Sequence, residues 1–544
     1  MREGNNEKHE FLSQLGFNGF ELGAEGPLSK ESEASYLINY RYTALGLMKN
    51  LGVEIGTDCP PFYQDLNMKV AVPMKNSSKL TFFALGGTSR IDLLGKDVDT
   101  SKTNYYGRID QNLYPKFTTG IAGASFETPL SSKTFAIFTT GVSRAEQLYR
   151  EDSIAVYQPG KPIFLKTDAT FNSTKYSAAA NVTHKFSAKS SFYFGMNTDY
   201  SVTDIFRKKV YQGRERIWAD FKDDLVLSQG YISWKYRIGN RTTVNTGLHA
   251  QHLNINNQIV LEPRFGLRYQ LTDKSSVNFG YGLHQQAQGA YNYFVQNPAG
   301  ERTNLNLDFS RSNHFVLGYD LNLGEITVLK LEGYYQYLDK MPVHQYASSF
   351  SIMNEGSNLA PVDQSDLVNN GTGQNYGIDL TVERYLNEGF YFLITGSLFD
   401  SKYKGSDGIE RNTAFNTNYV LNLLGGKEWK LNEQGDVLAL SVRFTTTSGR
   451  YFTPLNLTAS QATGDAVEDT QRAFSERQTP YLRLDVKLAY RKEFKNSSLE
   501  IALDLQNTTN NQNIFRQGYN RQSNTISNEY QIGFFPVPTI RYTF

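Results

Sequence analysis

Apolar and polar residues alternate through the chain in stretches of about ten, joined by small polar turns. In 376–383, Tyr376, Ile378, Leu380 and Val382 fall on one face, and Gly377, Asp379, Thr381 and Glu383 fall on the other. Successive side chains of a strand point to opposite faces, so such a segment is a strand with one apolar and one wetted side. A soluble sandwich alternates too, but its strands are shorter and its chain divides into domains of roughly 100 to 150 residues. Many long strands with no domain break predict an all-β protein. The expected fold is a transmembrane antiparallel β-barrel with lipid outside and water inside.

Bulk composition agrees. Mean hydropathy is −0.47, and no apolar run reaches the roughly 18 residues of a membrane helix, which excludes a helical membrane protein. A barrel survives that test because half its strand residues face water. The chain has 35 Tyr and 35 Phe against 3 Trp, and Tyr suits both interfacial girdles and a polar lumen wall. Lys plus Arg is 55 and Asp plus Glu is 54, a net charge of +1, so no nucleic-acid partner is expected. The single cysteine, Cys59, precedes Pro60 and Pro61. It permits no internal disulfide and no Cys-rich metal site, and it is read as an inert loop residue.

The strands pair as hairpins. Phe265, Leu267, Tyr269 and Leu271 oppose Gly266, Arg268 and Gln270; Thr272-Asp273-Lys274-Ser275 turns the chain; Val277, Phe279, Tyr281 and Leu283 follow on the apolar face. Leu482, Leu484, Val486 and Leu488 oppose Arg483, Asp485 and Lys487, and a one-residue slip would put those charges into lipid. A Lys or Arg at the lipid midplane costs roughly 2 to 4 kcal/mol. Turn signals fall at 26–33, 74–79, 130–133, 187–191, 239–242, 272–275, 322–325, 387–389, 432–436 and 495–497. With both chain ends on the same side, these turns predict about 22 strands. Longer polar stretches at 46–66, 88–114, 144–175, 201–226, 286–310, 338–375, 448–477 and 508–528 are expected as loops of the other side. Short periplasmic turns against long extracellular loops is the asymmetry of an outer-membrane barrel. Asn18-Gly19 is expected as a tight first loop.

The last strand alternates Ile540, Tyr542 and Phe544 with Arg541 and Thr543. An aromatic end on an amphipathic final strand resembles the signal by which bacterial outer-membrane proteins are recognised by barrel assembly machinery. At the other end, Met1-Arg2-Glu3-Gly4 is polar and has no apolar signal core.

The chain resembles the TonB-dependent receptors of the outer membrane, of the Bacteroidetes type. The resemblance rests on Glu262-Pro263-Arg264-Phe265-Gly266-Leu267-Arg268-Tyr269, on Pro480-Tyr481-Leu482-Arg483-Leu484-Asp485, on Leu505-Gln506-Asn507-Thr508-Thr509-Asn510 with Asn513-Ile514-Phe515, and on Gly533-Phe534-Phe535-Pro536 through Phe544. It implies a 22-stranded barrel plugged by an N-terminal domain, with energy delivered through a TonB-binding motif. Plug, TonB-binding motif and signal peptide are not found in this sequence. Residues 1–8 are read as the junction after a missing plug, and 9–544 as the barrel. The plug is then expected upstream or on a separate chain, or the barrel works without one. A barrel this wide needs its lumen filled, and a long loop such as 338–375 could fold inward to constrict it.

No catalytic motif emerges, so no enzyme and no cofactor are expected. His249 and His252 sit three apart, on opposite faces of a strand, and cannot chelate one metal together. Ser312-Asn313-His314 is better read as a turn or rim segment than as a catalytic pair. Arg268, Asp379, Glu383, Arg443, Arg483, Asp485 and Lys487 are expected to face the lumen, as paired wall charges or as contacts for a plug or a passing solute. Tyr105, Tyr106, Tyr291, Tyr293, Phe294, Tyr451 and Phe452 are candidate loop contacts for a ligand, or rim girdle. The resemblance implies a scarce-nutrient transporter acting on a siderophore, vitamin, oligosaccharide or peptide. A surface-binding adhesin and a passive porin remain alternatives.

Overall fold

The computed structural model describes residues 2–17, 19–29, 32–43, 45–46, 60–97, 109–156, 158–211, 214–355, 364–521 and 523–544. Cys59, Tyr105, Tyr106 and Asn18 lie outside them. Twenty-two strands form one closed antiparallel barrel. In chain order they are β1 Glu10–Gly16, β2 Gly19–Ser29, β3 Ser32–Tyr42, β4 Phe62–Pro73, β5 Lys79–Arg90, β6 Gln111–Ser131, β7 Thr134–Ile154 and β8 Ile163–Lys185. Then come β9 Ser190–Tyr211, β10 Arg214–Ile238, β11 Thr242–Leu253, β12 Gln258–Thr272, β13 Ser275–Gln286, β14 Ser310–Asn322 and β15 Thr327–His344. The last are β16 Leu367–Asn387, β17 Phe390–Lys404, β18 Tyr419–Lys430, β19 Val437–Thr447, β20 Tyr481–Glu493, β21 Ser498–Gln506 and β22 Phe535–Thr543. No helix among the described residues is long and apolar enough to cross a membrane, and in lipid only a closed ladder leaves no strand edge unsatisfied.

Nine of the ten predicted turns fall between consecutive strands as expected; of the first, 26–33, residues 30–31 lie outside the described residues. Each joins the second strand of one hairpin to the first of the next, from 74–78 between β4 and β5 to 494–497 between β20 and β21. The ring closes where β1 pairs with β22, Leu12 opposite Thr543 and Gly16 opposite Thr539. Two predicted loops are instead barrel strand, and a third, 508–528, holds a separate two-stranded ladder of Ile514–Asn520 with Thr525–Tyr530. Residues 144–175 are the tips of β7 and β8 with only 155–162 between them, and 201–226 are the tips of β9 and β10 with only 212–213 between them. β10 is 25 residues long, whereas a membrane strand needs about 9 to 11. These hairpins therefore stand well clear of a bilayer. Beyond the lipid the outward face is free of the hydrophobic constraint, so alternation fades while pairing continues from Arg207↔Ala219 to Val210↔Glu215. Of the expected Asn18-Gly19 loop, Asn18 lies outside the described residues, and Gly19 is the first residue of β2, paired with Gly16. Ser312 and His314 lie on β14, at its loop-side end.

The two faces separate by chemistry. Leu317, Ile378, Leu398 and Leu488 are exposed on the outer face. The inner face is polar, and small residues let large ones lie flat on it. The Tyr231 hydroxyl donates to Asn181 Oδ1 at 3.0 Å, reaching across Gly195. A Cβ on Gly195 would lie 2.1 Å from the Tyr231 ring.

Candidate ligand path along the inner wall

All seven predicted lumen residues share the polar face, because the register carries it from strand to strand. Arg268 opposes Asn278, Asp379 opposes Ser397, and Arg443 opposes Asp485. Five of the seven have a charge partner. Asp485, nearly buried, accepts from Arg443 Nε at 3.0 Å, from Arg483 Nε at 2.7 Å and from the Asn507 amide at 2.8 Å. Lys487 reaches Glu500 at 4.0 Å, and Arg268 reaches Asp320 at 3.9 Å. Among the described residues Asp379 and Glu383 make no ion pair, and Asp379 stands directly opposite Glu332. Like charges so placed repel, while Lys330, on the same face and opposite Thr381, stands between Asp379 and Glu383, so the inner wall of β15 and β16 is mixed in charge here, with an acidic excess.

A second polar belt crosses β11 to β13. Glu262 is 1% exposed yet fully satisfied. It accepts from Gln251 Nε2 at 2.9 Å, Arg264 at 3.1 Å, the Gln285 amide and His249 Nδ1. A concavity of about 660 Å³ opens beside it, lined by Asn181, Asn197, Gln229, Tyr231, His249 and Arg264. Its wall offers amide groups, a phenol ring and a guanidinium, donors and acceptors suited to an uncharged or anionic polar solute.

The segment 287–309 narrows the path above this belt. Its short helix α1, Ala290–Phe294, packs Tyr291, Tyr293 and Phe294 against Ile205, Phe221, Leu225, Leu253 and Val260. These strand residues lie on the inner face of β9 to β12, so the loop folds into the mouth and not away from it. Arg302 pins it to Asp223 at 2.7 Å and lies over the Phe221 and Phe294 rings. Fully buried Asn304 donates to the Asn292 and Gln364 carbonyls, both at 2.9 Å, and accepts from the Leu367 amide at 3.0 Å. Among the described residues the inward constriction is made by 287–309, with Phe350 and Leu367 of the expected 338–375 stretch packed in or against its core; residues 356–363 of that stretch lie outside the described residues. The polar sequence of this segment hid the fact that its aromatics and leucines meet a matching apolar patch.

The candidate ligand aromatics divide accordingly. Tyr291, Tyr293 and Phe294 are buried in this loop core, and Tyr293 is 0% exposed, so they hold the loop down and present no ring to a ligand. Burial pushes the Tyr293 phenol up to about 12, and its oxygen accepts from the Gln288 amide at 3.0 Å. Tyr451 and Phe452 form a short ladder with Glu476–Arg477, the Arg477 guanidinium lying 5.4 Å from the Tyr451 ring centre. Of the predicted assembly residues, Ile540, Tyr542 and Phe544 are exposed on the outer face.

A closed ring of 22 strands, with short turns at one end, long loops at the other, an apolar outside and a polar inside, defines a transmembrane β-barrel. The family described as TonB dependent receptor-like, beta-barrel matches residues 71–511, and the chain belongs to that family. No curated protein matches it. Among solved structures it is similar to the ferric preacinetobactin receptor BauA of Acinetobacter baumannii, at 13% identity and TM-score 0.68 over 100% of this chain and 81% of that one. It is similar to the ferric-catecholate import receptor Fiu of K12 E. coli, at 12% identity and TM-score 0.70 over 100% and 82%. It is also similar to the ferric yersiniabactin uptake receptor FyuA of Yersinia pestis, at 12% identity and TM-score 0.70 over 100% and 80%. At these identities the likeness concerns the fold.

Proposed function

We propose that this chain is the outer-membrane barrel of a TonB-dependent active transporter, of the Bacteroidetes type, for a scarce small nutrient. A ferric chelate is the first class to test, because the similar structures are receptors and importers named for ferric ligands. A vitamin, oligosaccharide or peptide follows. The observation that supports this reading is the inward-folded 287–309 segment over a wide polar lumen. A mouth narrowed by a packed core leaves less room for free diffusion of a large solute, which suits gated import, and the family to which the chain belongs weighs the same way. Ligand is captured at the loops, a plug in the lumen rearranges under TonB, and solute passes along the polar wall.

Residues 2–8 fit the reading of 1–8 as a plug junction. Arg2 pairs with Glu25, and Glu3 pairs with Lys79 at 2.7 Å, which ties the segment to the inner wall near the turn end. Asp379 and Glu383 would meet cationic plug or solute groups. Ile540, Tyr542 and Phe544 would serve recognition by barrel assembly machinery before lipid surrounds the apolar face. The test is uptake in cells carrying or lacking the gene, with each ligand class supplied at limiting concentration, with TonB present and removed. Uptake that needs both the gene and TonB supports the transporter. Uptake that needs the gene alone supports a porin, and surface binding without uptake supports an adhesin.

A further inference from the structure

We infer that His284 on β13 and His314 on β14 form a two-imidazole site for a divalent transition-metal ion on the inner wall of the barrel. His314 stands directly opposite Gly282, and His284 stands opposite Ser312, so the two histidines are diagonal neighbours on one face. Their ring centres are 4.6 Å apart and their planes are inclined by 49°. A metal–imidazole bond is about 2.0 to 2.1 Å long, and rings this close bring one nitrogen of each within reach of a shared ion after a small rotation.

Gly282 builds the site. A Cβ there would stand 2.5 Å from His284 Nε2, so the missing side chain is what lets the His284 ring lie back across the strand toward His314. The pair also differs from the tied histidines of this chain. His344 is bonded through both nitrogens, to Ser348 and Gln364 at 2.8 Å each. His184 meets Thr134 at 2.8 Å, and His249 meets Glu262. Among the described residues His284 makes no hydrogen bond, and His314 faces only Gln336 at 3.5 Å, the outer limit of such a bond.

No three His, Cys, Asp or Glu side chains converge on a metal position among the described residues. The pair therefore supplies two donors and leaves the remaining positions to water or to donor atoms of a passing chelate. Imidazole donors suit Cu2+, Ni2+ and Zn2+. A neighbouring cation, Arg264, stands across Gly282 on β12 and is offset by Glu262 at 3.1 Å. The site lies just below the 287–309 core, whose floor is Leu253 and Val260, so solute entering the lumen there passes it. The inference stands apart from the TonB reading, since it concerns binding by the wall alone.

The test is titration of the folded chain in detergent with Cu2+ alone, followed by calorimetry and electron paramagnetic resonance. The expected result is one ion per barrel whose spectrum carries splitting from two nitrogens. His284→Gln and His314→Gln each weaken binding at least about tenfold. Gly282→Ala, which keeps both imidazoles, weakens it too, and His252→Gln, on the opposite face, leaves it unchanged. Heat-modifiable gel migration confirms that each variant is folded, and a misfolded single variant is replaced by the Gly282→Ala comparison. Wild-type affinity in the folded His284→Gln, His314→Gln or Gly282→Ala chain would overturn the inference, as would a spectrum with fewer than two nitrogen donors.

Discussion

Phe11 and Phe544 exchange both main-chain hydrogen bonds, Phe11 N to Phe544 O at 2.7 Å and Phe544 N to Phe11 O at 3.0 Å, and their rings stack with centres 5.3 Å apart. The first and last strands meet at this seam. Without it β1 and β22 would each present an open edge, which lipid does not tolerate.

Ending the chain at Thr543 removes both bonds and the ring contact. It should destabilise the closed barrel by about 2 to 3 kcal/mol and lower the fraction that migrates as folded barrel in unheated gels. Phe544→Tyr keeps backbone and ring and should behave as wild type. An equal folded fraction for the shortened chain would show that the Phe11–Phe544 pair is not needed for closure beyond the pairing of Leu12 to Gly16 with Thr539 to Thr543.

The mouth segment should come loose when its pin is removed. Arg302→Ala takes away the Asp223 pair and should cost about 2 kcal/mol locally. Tyr293→Ala empties a fully buried aromatic site and should cost about 3 to 5 kcal/mol. Both changes should speed chymotrypsin cleavage within 287–309 while the barrel stays folded.

The wall charges can be tested at Asp485. Asp485→Asn leaves Arg443 and Arg483 facing each other with a weaker acceptor, and it should lower stability by about 2 kcal/mol. The unfolding midpoint in urea reads this directly. Asp379→Asn, which loses no ion pair and relieves the repulsion from Glu332, should leave the midpoint unchanged or raise it.

Two loop carboxyls should respond to pH with opposite sign. Arg411 bonds Asp407 at 2.9 and 2.8 Å and holds its carboxyl below the ordinary value of 3.8. That contribution is present above 3.8 and is lost as pH falls through the lowered folded value. Burial, and then the Glu468 carboxylate, push Glu355 up from 4.5. Its packing is complete below 4.5 and weakens as pH rises through the raised value. Hydrogen exchange should show 405–418 loosening only in acid and the segment ending at Glu355 loosening toward neutral pH. Asp407→Asn should abolish the first response and Glu355→Gln the second.

Much of the barrel was legible because lipid enforces alternation. Between Tyr376 and Glu383 each side chain must choose a face, and the strand, its register and its turn at 387–389 follow. Legibility fails where that constraint ends. Arg207, Lys208 and Lys209 run consecutively on strand β9 above the bilayer and read as a loop. Tyr291, Tyr293 and Phe294 read as ligand contacts because their partners Ile205, Phe221 and Leu253 are distant in sequence, and only the folded loop brings them together. The His284–His314 pair was hidden for a similar reason, since it depends on the register that sets Gly282 opposite His314.

The central claim is a closed, water-filled barrel whose mouth is narrowed by 287–309, and single-channel conductance in a planar bilayer tests it most directly. The wild-type chain should give steady ohmic openings, and a variant with 290–302 replaced by a short Gly-Ser bridge should give distinctly larger ones. Equal conductance in the two, or none in either, would contradict the claim.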